Sequence, residues 1–165
     1  MAKENSFDVV SQVDMQEVDN AFQQTRKELA QRYDLKDSKA TIDLDRAAKR
    51  FSLSAPSEFV ANQVIDVLNT KLVHRKIDLK SVKWSDPQAA TGMTVRYSGS
   101  IIEGIDKETA GRINKDIKAL KIKVKVQIEG DQLRIFSASR DVLQDVINFL
   151  KEQDYGQPLQ YVNYR

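Results

Sequence analysis

Lys123-Val124-Lys125-Val126-Gln127-Ile128-Glu129-Gly130-Asp131-Gln132-Leu133-Arg134-Ile135-Phe136 is the stretch on which the fold turns. Val124, Val126 and Ile128 alternate with Lys123, Lys125 and Gln127, the period-two pattern of a strand with one face buried and one face in water. Gly130-Asp131 supplies the tight turn that reverses the chain. Leu133 and Ile135 continue the apolar face on the return strand, while Arg134 and Phe136 continue the open one. Such a hairpin belongs to an antiparallel sheet covered on one side only.

Moving outward, each neighbour of the hairpin is a helix. Upstream, Asp106 can cap one that buries Ala110, Ile113, Ile117 and Leu120; downstream, Asp141 is expected to cap one that buries Val142 or Leu143, Val146, Ile147 and Leu150. Strand-like segments at 93–102 and 158–164 flank these, so the second half reads strand-helix-strand-strand-helix-strand. Closing on Tyr164-Arg165, the last strand is expected to be tied into a sheet.

The first half has the same order. Residues 6–13 are β-rich. Asp14, with Glu17 three residues on, has the pattern of a capping box and opens a helix. Met15, Val18, Phe22, Leu29 and Tyr33 recur there at helical spacing, and the helix is expected to end near residues 33–36. A hairpin follows, with Ile42 and Leu44 on one strand and Phe51 and Leu53 on the other. A second helix over 58–73 buries Val60 or Ala61, Val64, Ile65, Leu68 and Leu72. Residues 79–84 form a short strand and 86–92 a polar linker. The fold class is therefore α+β: two ferredoxin-like, split β-α-β units, each a four-stranded antiparallel sheet with both helices on one face. Thr41, Asp43, Ser52, Ser54, Lys123, Lys125, Gln127 and Arg134 lie on the uncovered faces, where function is to be sought.

Composition narrows the chemistry. Hydrophobic residues make up 41% of the 165-residue chain, enough for a real core, and cysteine is absent, which removes thiol catalysis, disulfides and thiolate zinc sites. The opening MAKENSFDVV has no apolar core of a signal peptide, no run is long enough to span a membrane, and a cytoplasmic location is expected. Acid–base catalysis has only His74 to build on, at a helix end. No phosphate-cradling glycine loop and no metal-ligand spacing occurs, so no catalytic residue, metal or cofactor is expected.

Charge is concentrated rather than abundant. Net charge is only +2, yet Lys107, Arg112, Lys115, Lys118, Lys121, Lys123 and Lys125 crowd one stretch against Glu108 and Asp116. A field of that sign attracts phosphate; a solvated helix face and strand edge is the plainer reading. Phe136 beside Lys123, Lys125, Gln127 and Arg134 suits base stacking next to a backbone phosphate, and equally suits packing against a neighbouring unit. Ser137-Ala138-Ser139-Arg140-Asp141 runs into a helix N-terminus, as an anion seat or as a simple cap.

These segments also carry a family resemblance. The chain resembles the YajQ family of bacterial nucleotide-binding proteins over essentially its whole length. The match runs from Ser6-Phe7-Asp8-Val9-Val10-Ser11 and Asp14-Met15-Gln16-Glu17 through Arg32-Tyr33-Asp34 and Gly104-Ile105. It continues through the hairpin to Arg140-Asp141 and to Pro158-Leu159-Gln160-Tyr161-Val162-Asn163-Tyr164-Arg165. It departs from the usual pattern at Gly111, Ala138 and Val142. The resemblance implies two ferredoxin-like domains that exchange their N-terminal strands: 12–90 plus the strand 93–103, and 104–165 plus the strand 1–11. It implies nucleotide or single-stranded RNA binding, with cyclic di-GMP as a ligand in some members, and no enzymatic activity. Lys115, Lys118, Lys123, Lys125, Gln127, Arg134, Phe136, Ser139 and Arg140 are the expected contact residues, inferred from the sequence itself. The competing expectation is a protein-interaction or scaffold module without a nucleotide ligand.

Overall fold

The computed structural model of the protein describes residues 4–165. In chain order its elements are β1 (Asn5–Val10), α1 (Met15–Gln31), β2 (Thr41–Asp45), β3 (Arg50–Ala55), α2 (Glu58–His74), β4 (Val82–Trp84), β5 (Gln88–Ala89) and β6 (Val95–Ile101). After these come α3 (Lys107–Ala119), β7 (Lys125–Glu129), β8 (Gln132–Ser137), α4 (Arg140–Lys151) and β9 (Gln160–Val162). The chain divides into two compact units, one formed by the segment through Gln12 with Glu103–Arg165 and the other by Val13–Ile102.

Each helix starts on a side chain that accepts from its first-turn amides, which the helix itself leaves unpaired. Asp14 accepts from Gln16 and Glu17, Ser57 from Val60, Asp106 from Thr109 and Ser139 from Val142. Two expectations are corrected here. Ser139, not Asp141, caps α4, because its hydroxyl sits at the one position from which it can reach the third amide of the turn. Glu17 does not close a capping box: its carboxylate turns to Asn20 and Arg75 instead.

In the Glu103–Arg165 unit the sheet order is β7-β8-β1-β9, with antiparallel pairing throughout. The first strand of the chain thus lies at the centre of a sheet whose other strands come from the far end of the sequence. Phe7, Val9, Leu133 and Ile135 project to the helix side and are fully buried with Ile113 and Ile117 of α3 and Val146 and Leu150 of α4. Truncating either Leu133 or Ile135 to Ala would cost about 2–5 kcal/mol, as for other filled core positions.

The Val13–Ile102 unit has the order β2-β3-β6-β4, again antiparallel, with β5 pairing back onto the start of β6. Its core holds Phe51, Leu53, Val64, Leu68 and Leu72. Trp84 stacks on Phe51, with ring centroids 6.0 Å apart, and lies flat over Gly99, the residue between them in the register.

Departures from the sequence pattern fall at two element ends, inside α2 and in the linker. Tyr33 is 89% exposed, because α1 stops at Gln31 and the chain turns before the aromatic can rejoin the apolar stripe. In α2 Ala61, one of the two expected alternatives, is buried, while Val67 takes the buried place expected of Ile65, which is half-covered. Ile128 is 44% exposed, being next to the β7–β8 turn where the helices no longer cover the sheet. The segment expected as a linker contains β5.

Candidate functional site

Gly130, at a φ of 60°, and Asp131 form a two-residue turn that sets the β7–β8 register. That register places Lys125 opposite Phe136 and Gln127 opposite Arg134. Across the next ladder Phe136 faces Ser6, and Arg134 faces Asp8. Since Leu133 and Ile135 point into the helix layer, Lys125, Gln127, Arg134 and Phe136 share the opposite, uncovered face. The ammonium of Lys125 lies 5.8 Å from the centre of the Phe136 ring, in cation–π range.

Arg134 is not free on this face. Its Nε donates to Asp8 at 2.8 Å and a second nitrogen does so at 3.4 Å, while Glu129 lies 3.7 Å away. Asp8 is 1% exposed and also accepts from the side-chain amide of Asn163 at 2.8 Å. Burial alone would push the Asp8 carboxyl upward. The hydrogen bonds from Arg134 and Asn163, with the charges of Arg134 and Arg165, outweigh that and hold it below the ordinary value. The hydrogen bond to Asp8 in turn raises Arg134. The guanidinium therefore serves to neutralise a buried carboxylate, so less of it is available to an incoming phosphate.

The remaining expected residues are dispersed. Lys123 is exposed just ahead of β7, and its carbonyl accepts from the Ser137 hydroxyl at 3.1 Å. Ser139 donates its amide to Ser137 and caps α4, so both serine hydroxyls are engaged within their own loop. Arg140 donates to Asn5 at 3.3 Å. Lys115 and Lys118 are exposed on α3, whose Ala110, Ile113 and Ile117 pack on the helix side of the sheet. The helix layer separates them from Lys125 and Phe136. Arg112, also on α3, lies over the Tyr155 ring, and Tyr155 donates to Asp116 at 2.7 Å.

The structure adds residues that periodicity did not single out. Asn163, at a φ of 57°, bulges the strand after β9, and Ser6 and Arg165 then exchange backbone hydrogen bonds. The extra residue brings Tyr164 to the same side as Tyr161, so that both rings meet Phe7, at 6.2 and 6.1 Å. Beside them a cavity of about 350 Å³ is floored by Leu143 and Ile147 and edged by Arg140, Tyr164 and Arg165. An ordinary alternation count would have sent Tyr164 to the other face.

His74 is exposed at the last turn of α2, and no set of three metal-ligating side chains converges among the described residues. No helix there is long and apolar enough to cross a membrane.

Comparison with known proteins agrees over the full length. A protein of Desulfitobacterium hafniense named nucleotide-binding protein is 44% identical over all 165 residues, covering the whole of both chains. Proteins of the same name from Alkaliphilus oremlandii and Chloroherpeton thalassium are 43% and 42% identical over the same span. The family model described as nucleotide-binding protein YajQ-like matches residues 5–165. With a family model and full-length relatives both in agreement, the chain belongs to the YajQ-like family of nucleotide-binding proteins.

Proposed function

We propose that this protein binds nucleotides or single-stranded RNA without turning them over, through the uncovered face of the β7-β8-β1-β9 sheet. The observation that carries the reading is Lys125 poised over Phe136, with Gln127 in the next row. An aromatic ring on an open sheet stacks any base, and the adjacent ammonium can swing from the ring to a phosphate. Gln127 offers a donor and an acceptor to a base edge. The names of the relatives support a nucleotide ligand. Cyclic di-GMP, which presents two bases and two phosphates, is one ligand of that kind.

The strand order supports reading each unit as a ferredoxin-like domain. Taken by its position in the β-α-β-β-α-β order, each sheet runs second, third, first, fourth, with β1 as first strand of one unit and β6 as first strand of the other. A cytoplasmic setting goes with this function.

The test is titration of a labelled single-stranded RNA, and separately of cyclic di-GMP, at low and high salt. Lys123→Ala, Lys125→Ala and Phe136→Ala combined should weaken binding at least tenfold while the thermal transition stays in place. Wild-type affinity in that variant would overturn the proposal. No binding of either ligand would favour a protein-interaction role, and the binding seen at low salt should weaken at high salt, because phosphate contacts fade steeply as salt rises.

A further inference from the structure

The second open sheet, that of the Val13–Ile102 unit, carries a depression of about 330 Å³ that is polar in character. Its floor follows from the register. Thr41, Ser54 and Arg96 form one cross-strand row, and Asp43, Ser52 and Ser98 form the next. Gln88 stands opposite Arg96 on β5, so the short strand that returns along β6 walls the depression on one side. Alternation explains the chemistry: Ile42, Leu53 and Phe51 take the core face, and every residue between them is a hydroxyl or a charge.

Asp43 and Arg96 are exposed, and neither has a hydrogen bond or ion pair to another side chain among the described residues. They sit on strands two apart, about 10 Å sideways at the usual strand spacing, and two residues out of row. At that separation they do not quench each other. A bare anion would suit Arg96 but leave the Asp43 carboxylate, two strands and a row away, without a partner. An amino acid carries both its charges on one carbon and cannot reach both residues. A ligand with a pair of neighbouring hydroxyls at one end and a phosphate at the other satisfies the whole surface. The carboxylate accepts from two hydroxyls, as acidic residues do with ribose, and the guanidinium takes the phosphate. The Ser and Thr hydroxyls of the floor both donate and accept, which suits a sugar ring.

We infer that the Thr41–Asp43–Ser52–Ser54–Arg96–Ser98 face is a sugar-phosphate site that reads ribose through Asp43 and phosphate through Arg96 and is indifferent to the base. The inference builds on the reading of the chain as a ribonucleotide binder but uses a different surface. It assigns the sugar discrimination to this unit and the base stacking to the other. Its chemistry is shared by ribose 5-phosphate, a free ribonucleotide and the end of an RNA strand.

The experiment uses the full-length chain and follows the backbone amides of Ser52, Ser54 and Ser98 by NMR during titration. Ribose 5-phosphate should shift these amides, and AMP and CMP should do so with affinities within about threefold of each other. Deoxy-AMP should bind about tenfold more weakly, the loss expected for a hydrogen bond to a charged group. Asp43→Asn should remove the ribose preference, and Arg96→Gln should weaken every phosphate-bearing ligand while Asp43-dependent discrimination persists. Single-stranded RNA that shifts these amides when free ribose 5-phosphate also does identifies a strand end as one source; free sugar phosphate alone shifting them identifies the other. Equal binding of AMP and deoxy-AMP, or failure of ribose 5-phosphate to move the three amides, would overturn the inference.

The two sites fail separately. Ribose 5-phosphate has no base to stack on Phe136, so its binding should survive in the Lys123, Lys125 and Phe136 variant. If that variant keeps wild-type RNA affinity while ribose 5-phosphate still shifts the amides, the stacking site is wrong and the sugar site stands.

Discussion

Asn163 reaches across from a left-handed backbone position, φ 57°, to donate its side-chain amide to the buried Asp8 carboxylate at 2.8 Å. One residue thereby settles two matters: it adds the bulge that re-aims Tyr164 onto Phe7, and it helps hold a charge at the centre of the sheet. The two roles can be separated. Asn163→Gly keeps the left-handed turn and loses only the hydrogen bond, whereas Asn163→Ala loses both. Because an alanine in that backbone region costs about 1–2 kcal/mol more, Asn163→Ala should be the less stable of the two by about that amount in urea denaturation. Equal stabilities would mean that the bulge relaxes.

Asp8 should make part of the protein's stability dependent on acid. Its folded-state carboxyl lies below the ordinary value of 3.8, held there against burial by Arg134, Asn163 and Arg165. A depressed carboxyl contributes stability that is complete above the unfolded value and is lost as pH falls through the folded one. Asp8→Asn should therefore lower Tm at neutral pH, and its deficit against wild type should shrink below about pH 4. Arg134→Gln should also lower Tm. Lys125→Ala, whose partner is a surface ring, should not. Calorimetry over that pH range distinguishes the three.

Gly99 has no room for a side chain. A β-carbon built there would lie 2.8 Å from the Trp84 ring. Trp84 would have to leave its stack on Phe51, so Gly99→Ala should cost about 1–3 kcal/mol and alter tryptophan fluorescence, Trp84 being the one tryptophan of the chain. An unchanged emission spectrum would count against the packing described.

Gly111 is the opposite case. It lies inside α3, where a β-carbon would meet nothing within 4 Å. Gly111→Ala should stabilise the protein by about 0.5–1 kcal/mol, since alanine loses less backbone freedom on entering a helix. Ligand binding at either sheet should be unaffected.

Local pattern was enough to place the helices and every strand but the two-residue β5, and to distinguish apolar from open faces. The alternation of residues 123–136 specified a half-buried hairpin, and Gly130-Asp131 marked its turn, because a strand's two faces follow directly from a repeat of two. Asp14 and Asp106 marked helix starts, since a capping side chain acts within one turn of itself. The cation, amide and aromatic of the first candidate face, Lys125, Gln127 and Phe136, were legible for the same reason.

What lay beyond the sequence depended on contacts between distant residues. Lys115 and Lys118 share a basic stretch with Lys125, but the packing of α3 through Ala110, Ile113 and Ile117 places them on the other side of the sheet. Arg134 looked like an open cation until Asp8, 126 residues away in sequence, took it as a partner. Strand pairing with β1 sets that contact, and no periodicity within either strand encodes which edge it will join. The sugar-phosphate depression has the same origin: Thr41, Asp43, Ser52, Ser54, Arg96 and Ser98 come from three strands, and only their register makes them neighbours. Composition and alternation alone determined that this chain would have two half-open α+β sheets without thiol chemistry. Tertiary structure decided which charges on those sheets are neutralised within the fold and which remain for a ligand, because ion pairing depends on distance in space rather than along the chain.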